Sequence, residues 1–283
     1  MYDLYMLKMF EINGQIEQIY VQDNNAKSTL VLIHGLNSSY QFVKDLYKQK
    51  LNFNLVAFNM PGSRMNLNNQ NANFDEWIRY AKLVISQITN TDIYFLSHSI
   101  GGMVTPTLAK KYNAKWSFLV NPIHPYIQYS LIYKILKLAH SESSFTKNSV
   151  TSLLKLNSIN NDEKRNWINI FTKQNSIWYQ MIKQNVLNLE FLDKLDQMYE
   201  EIKDKSTFIA SLKDSIIDGE ELVRYLEETN KNYILIGESH NPFEKNCKEI
   251  TKVLNAHIPF EKRKGFLWMK KKMFKLKEVK RYE

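Results

Sequence analysis

Three residues from separate parts of the chain have the side chains that acyl transfer to a hydroxyl requires: Ser99, Asp214 and His240. A serine hydroxyl attacks poorly until a base takes its proton, and an imidazole serves as that base when a carboxylate fixes its tautomer. Ser99 lies in Ser97-His98-Ser99-Ile100-Gly101-Gly102, directly after the apolar run Ile93-Tyr94-Phe95-Leu96 and before a helical pattern. A serine on such a sharp strand-to-helix turn projects its oxygen above a sheet, and the turn needs small neighbours because the two backbones approach closely. Gly101 meets that need downstream, while Ser97 takes the upstream position where glycine is usual. Polar, glycine-rich turns are also common as plain structure in α/β proteins, so the cluster gains meaning only from its partners.

Asp214 follows the strand-like Phe208-Ile209-Ala210-Ser211, and His240 follows Tyr233-Ile234-Leu235-Ile236 within Gly237-Glu238-Ser239-His240. Nucleophile, acid, base is one of the chain orders in which such triads occur. Asp218 is the alternative acid. His98 is the poorer base, because its side chain leaves the sharp turn in a different direction from that of Ser99. A tetrahedral intermediate also needs donors for its negative oxygen. The backbone N–H of Ile100 is one candidate, and that of Leu36, in His34-Gly35-Leu36-Asn37, is the other, with Gly35 permitting close backbone approach.

These positions depend on a series of strands. Short strands are expected over Leu7–Phe10 and Gln15–Val21, joined through Asn13-Gly14. Continuous apolar runs over Leu30–Ile33, Leu55–Phe58 and Ile93–Leu96 have the composition of strands buried on both faces, and Trp116–Val120 reads as a further strand. Apolar spacing predicts helices over 42–51, 77–88, 103–109, 220–228 and 244–256, with Pro106 tolerable within a first turn. Strands alternating with helices argue for an α/β fold with a mostly parallel central sheet flanked by helices. In such a sheet the ligand site lies beyond the carboxyl ends of the strands, where every candidate above is placed.

Between 123 and 205 the alternation stops. Helical patterns occupy 127–138, 149–156, 163–171, 177–194 and 195–202 without an intervening strand, as in an inserted helical lid. The expected organisation is a core of 1–122 and 206–260, a lid of 123–205, and a basic tail of 261–283. The lid carries Tyr126, Tyr129, Tyr133, Phe145, Trp167, Phe171, Trp178, Tyr179 and Phe191. Most aromatic residues at helical spacing pack helices together, but a few facing the sheet would form an apolar wall that excludes water from Ser99.

Taken together these segments resemble the α/β-hydrolase fold superfamily, in its lid-bearing esterase, lipase and peptidase branch. Leu30–Gly35 is similar to that family's oxyanion-loop strand, and Ala57–Gly62 to its following strand and loop. Ser97–Gly102 resembles the nucleophile elbow, Lys213-Asp214 the acid loop, and Gly237–His240 the histidine loop. Asn59 stands where many members have Asp. The likeness spans about residues 7–256. It implies an enzyme without metal or organic cofactor that cleaves a small to medium carboxylic ester or thioester through an acyl-enzyme. A serine nucleophile disfavours halide displacement, which in related enzymes uses a carboxylate at the elbow. An aminopeptidase of proline-iminopeptidase type, anchoring its substrate through Glu142, Glu163 or Glu190, is an alternative. A noncatalytic binding protein on the same fold is another.

Composition sets the outer bounds. At 283 residues the chain can bury a sizeable core, and 44% hydrophobic with 24% charged residues is ordinary for a folded protein. Cys247 is the only cysteine, which excludes an intramolecular disulfide and a thiolate cluster and leaves it as a small buried filler. Of the formal charge of +9, the segment 261–283 supplies +7, with ten Lys/Arg against three acids. Phe266, Met269, Met273, Leu276 and Val279 recur among those lysines as a basic amphipathic helix would require, compatible with weak contact to an anionic membrane surface or with an ordinary terminal helix. Nucleic-acid binding is disfavoured, since no recognition fold accompanies the charge. The start of the chain has no basic n-region with an apolar helix behind it, which predicts no secretory signal and a cytoplasmic protein.

Overall fold

The computed structural model describes residues 7–12, 14–36, 38–63, 65–66, 72–89, 91–140, 178–263 and 273. Its strands are β1 (Leu7–Ile12), β2 (Gln15–Gln22), β3 (Ser28–Ile33), β4 (Asn54–Phe58), β5 (Asp92–His98), β6 (Trp116–Val120), β7 (Ser206–Ala210) and β8 (Tyr233–Leu235). They form one sheet in the order β1-β2-β4-β3-β5-β6-β7-β8. β1 and β2 pair antiparallel, as do β2 and β4, and every other pair is parallel.

Strict alternation along the parallel strands divides the core into two layers. Val31, Ile33, Val56, Phe58, Phe95 and Phe208 face one side. Leu30, Leu32, Leu55, Ala57, Leu96 and Ile209 face the other. Both sets are buried, as a strand covered by helices on both faces requires.

Helices α1 (Phe74–Ile85) and α2 (Thr105–Lys111) lie against the first layer. Asn73 caps α1 by accepting from the Glu76 N–H at 2.8 Å, and Asp75 and Glu76 place negative charge at its positive end. Pro106 falls within the first turn of α2, where its missing N–H breaks no helical bond.

The helix expected over 42–51 is instead two short 3₁₀ turns, Tyr40–Val43 and Leu46–Lys48. The Tyr40 carbonyl, which an α-helix would pair with the Lys44 N–H, accepts from the Tyr47 hydroxyl, and Lys44 N–H turns to Gln41 at 3.0 Å. Phe42, Val43, Leu46 and Tyr47 are still buried, because a three-residue repeat serves them as well as a 3.6-residue one over so short a span.

Helical segments are inserted between β6 and β7. They include a 3₁₀ turn over Pro125–Tyr129 and helix α3 (Leu131–Ala139), started by the Ser130 cap, where sequence spacing predicts one helix over 127–138. The helix expected over 177–194 is also divided. A short α4 (Tyr179–Met181) runs into a π-helical stretch over Ile182–Val186, and α5 (Leu189–Glu200) begins after Asn188, whose side chain accepts from Phe191 N–H at 3.3 Å. The π-helical stretch ends at Leu187, and Asn188 caps the helix that follows. The helices expected at 149–156 and 163–171 lie outside the described residues. After β7 come α6 (Gly219–Glu228) and α7 (Phe243–His257), with Cys247 buried in the second layer. No helix among the described residues is long and apolar enough to cross a membrane. Of the tail, Met273 is buried, and its carbonyl accepts from Thr89 N–H at 2.8 Å.

Tyr199 of α5 fastens the inserted segment to the sheet. Its ring is fully buried edge-on to Phe208, and its hydroxyl donates to the Ile123 carbonyl at 2.8 Å. Tyr199→Phe strands that carbonyl without its donor and is expected to lower unfolding free energy by about 1–2 kcal/mol. Urea unfolding checks this; a difference within error would mean that another group takes over the carbonyl.

Candidate active site

Parallel register decides which residues leave the sheet together. Ile33 lies opposite Ser97, His98 opposite Val120, Val120 opposite Ile209, and Ala210 opposite Leu235. His34-Gly35, Ser99, Asn121, Ser211 and Ile236 therefore emerge along one edge. The chain runs from β3 outward to β4 and then crosses back over to β5, so the order reverses between β3 and β5, which opens a crevice at their carboxyl ends.

At this point the backbones crowd. A Cβ on Gly101 would lie 2.6 Å from the His34 carbonyl oxygen and 2.8 Å from that of Ile33, and one on Gly35 would lie 2.9 Å from Ser99 Cβ. Ser99 has φ of 55°, a left-handed conformation disfavoured for a side chain with a Cβ. The chain folds so because β5 must pass directly into the 3₁₀ turn Ser99–Met103, whose carbonyl at Ser99 accepts from Ile123 N–H at 3.3 Å. Leu36 and Ile100, the expected backbone donors, are both buried, one residue beyond Gly35 and Ser99 respectively.

Asp214 and His240 meet. His240 Nδ1 donates to Asp214 Oδ2 at 2.7 Å, and Asp214 Oδ1 accepts from the N–H groups of Ile216 at 2.8 Å and Ile217 at 3.3 Å. The Asp214 side chain is fully buried. Burial pushes its carboxyl up, but the His240 charge, the His240 hydrogen bond and the two backbone donors outweigh this and hold it below the ordinary carboxylate range. Asp218, the alternative acid, does not join the site. It caps α6, accepting from Glu221 N–H at 3.3 Å.

Sequence reasoning missed the residue that joins these loops. Asn121, with φ of 42°, follows β6 and accepts from Ser211 N–H at 2.8 Å through Oδ1. Its Nδ2 donates to Ser211 Oγ at 3.0 Å, Ser239 O at 3.1 Å and His240 O at 2.9 Å. The available signal was the Asn-Pro pair at a strand end, which reads only as a strand terminator. His124 and His34 act similarly. His124 Nε2 donates to Ile217 O at 2.8 Å, while His34 accepts from Met60 N–H at 2.8 Å and donates to Gly35 O at 2.6 Å. Asn59, where an acid is usual, accepts from Tyr40 N–H at 2.9 Å and donates to Met65 O at 3.2 Å.

The described lid aromatics pack mainly on other rings. Trp178 meets Trp77 edge-on, Phe191 meets Phe74, and Tyr179 stacks on His140. Phe145, Trp167 and Phe171 lie outside the described residues, as do Glu142 and Glu163, and Glu190 is exposed in the first turn of α5. A cavity of about 370 Å³ opens beside the histidine loop, lined in part by Ser38, Gln41, Phe42, Asn241 and Phe243.

The strand order, the sharp turn after β5 and the helices inserted after β6 define the α/β-hydrolase fold. The chain is similar to the haloalkane dehalogenase DatA from Agrobacterium tumefaciens C58, with a TM-score of 0.63 at 12% identity over 88% of this chain and 94% of that one. It is similar to the thioesterase domain from the curacin biosynthetic pathway, with a TM-score of 0.58 at 14% identity over 88% and 98%. It is also similar to the esterase EaEST from Exiguobacterium antarcticum, with a TM-score of 0.56 at 14% identity over 89% and 99%. No protein-family model matches the sequence, and no curated protein sequence matches it. At such identities the likeness is one of fold.

Three buried histidines give this edge a pH dependence. Burial lowers His34 and His124 to about 4 and His98 to about 3, the last helped by the neighbouring His240 charge. Between about pH 4 and 6.5 the unfolded chain then binds more protons at these rings than the native chain. Their neutral burial costs nothing above about pH 6.5, and stability falls as pH drops below it, by about 4 kcal/mol per pH unit near pH 5. Urea midpoints should be level from about pH 8 to 6.5 and decline steeply below. A midpoint unchanged down to about pH 5 would mean that these rings are charged or hydrated in the native state.

Proposed function

We propose that the protein hydrolyses small to medium carboxylic esters or thioesters through an acyl-enzyme on Ser99. In this reading His240 is the base, Asp214 fixes its tautomer, and the backbone N–H groups of Leu36 and Ile100 receive the oxyanion. The observation that carries it is the 2.7 Å hydrogen bond from His240 Nδ1 to a buried, ionised Asp214. With the Nδ1 proton directed to the carboxylate, the lone pair of the neutral ring lies on Nε2, which is the nitrogen a general base needs.

The reaction then runs in two halves. Nε2 takes the Ser99 hydroxyl proton as the oxygen attacks the substrate carbonyl carbon, and the C=O electron pair moves onto the oxyanion. Collapse of that intermediate expels the alcohol or thiol, which takes the proton from His240. Water, deprotonated by the same nitrogen, attacks the acyl-serine, and the carboxylic acid departs as Ser99 regains its proton.

Of the acids that an aminopeptidase could use to anchor a substrate amine, Glu190 is exposed, and Glu142 and Glu163 lie outside the described residues. Ser99 also separates the chain in mechanism from halide displacement, which needs a carboxylate to form its covalent ester. The division into a core of 1–122 and 206–260, a lid of 123–205, and a tail of 261–283 touching anionic surfaces belongs to the same proposal.

Purified protein is expected to turn over short and medium p-nitrophenyl esters and to be labelled at Ser99 by a fluorophosphonate. Ser99→Ala should abolish both, and Asp214→Asn should reduce kcat by about 10³-fold or more. A folded protein that reacts with no ester, no thioester and no phosphonate would overturn the assignment.

A further inference from the structure

His98 immediately precedes Ser99, yet the reaction above gives it no part. Its Nε2 lies 2.8 Å from the backbone carbonyl oxygen of His240. A carbonyl only accepts, so this nitrogen carries the hydrogen and donates. The His98 ring lies between two others, with its centroid 4.6 Å from that of His240 and 5.8 Å from that of Phe42. The same carbonyl oxygen accepts from Asn121 Nδ2 at 2.9 Å. Both of its lone pairs are thereby taken, by residues from the ends of β5 and β6. The other nitrogen of His98, Nδ1, is buried against Gly35 and makes no hydrogen bond among the described residues.

We propose that His98 is a positioning residue for His240: its Nε2–H ties the backbone of the base to the turn that carries the nucleophile, so that the two reacting groups are held by one rigid element. This rests on the reading of His240 as the base toward Ser99. The arrangement explains why a neutral donor occupies the position. His240 packs on His98, and the charges that act on the ring come from His240, Asp214 and His34. A permanent cation there would oppose the imidazolium that forms on His240 during each half-reaction, whereas the buried, uncharged imidazole donates a hydrogen bond without adding charge. Strain at Ser99 makes the coupling useful, because a backbone held at φ of 55° has little freedom to follow a drifting partner.

The test compares His98→Phe, which keeps the ring and removes the donor, with His98→Gln, whose Nε2–H reaches a similar point. Folding is checked by near-ultraviolet circular dichroism. Kinetics use p-nitrophenyl butyrate, and the downfield proton resonance of His240 Nδ1–H is followed by NMR. In the Phe variant kcat should fall about ten-fold with KM nearly unchanged, and the Nδ1–H resonance should broaden through faster exchange. The Gln variant should restore the resonance and bring kcat to within about three-fold of the original. If the Phe variant does not fold, His98→Asn, whose amide is too short to reach the carbonyl, is read in its place. A folded donor-less variant with unaltered kcat and resonance overturns the proposal, and so does a Gln variant as impaired as the Phe one. Should the unaltered protein hydrolyse no ester, the assigned function fails, while the resonance comparison still decides the role of His98.

Discussion

The approach of β3 to β5 at their carboxyl ends constrains the rest of this molecule. The register sets Ile33 beside Ser97, and the next residues on each strand diverge into loops that touch. Gly101 lies against the carbonyls of Ile33 and His34, and Gly35 lies against Ser99, so neither position has room for a Cβ without moving backbone. A side chain at either site would push apart the loop after β3 and the turn after β5. Ser97, where glycine is usual, is fully buried.

A second constraint follows from satisfying polar groups at a dry edge. Three strand ends and two irregular loops expose backbone N–H and C=O groups there, and each needs a partner. Asn121 alone supplies bonds to Ser211, Ser239 and His240, which joins the acid loop to the histidine loop through one side chain. His124 holds the carbonyl of Ile217, whose N–H in turn supports Asp214. Histidine and asparagine suit this work because they offer donors without bringing charge into a region where burial would penalise it.

The strands and the meeting of Asp214 with His240 are legible because their signals are local. β3 and β6 carry the apolar runs Leu30–Ile33 and Phe118–Val120, and the pairing of Asp214 with His240 follows from their places after successive strands. Asp218 competed on sequence grounds because it stands just as near a strand end. What separates them is direction: Asp218, with φ of 63°, turns its carboxylate to the N-terminus of α6. Two helices were misread for a related reason. Over 42–51 the burial pattern is satisfied equally by 3₁₀ turns, and the choice was made by the Tyr47 hydroxyl reaching the Tyr40 carbonyl. Over 177–194 an unbroken apolar period conceals the cap at Asn188. The supporting roles of Asn121, His34 and His124 were invisible because they depend on contacts across strands, which no spacing within one segment reports.

The same reasoning bears on how much of the inserted segment could move. α5 is bound to the body by more than apolar packing. Lys231, with a side chain only 1% exposed, lies 3.4 Å from Asp196 and 3.5 Å from Glu200 of α5, and its ammonium sits 4.8 Å above the ring of Tyr225 in α6. The Tyr225 hydroxyl donates to the same Asp196 at 2.6 Å. Both carboxylates are nearly half exposed, so solvent screens the ion pairs and reduces their worth. The desolvated end of the bond is the lysine, however, and lifting α5 away would leave a cation facing an apolar wall with its partners gone. Tyr199 adds a buried hydroxyl bond on the same helix. α5 is therefore the part of the inserted segment through which it is fastened to the α/β body.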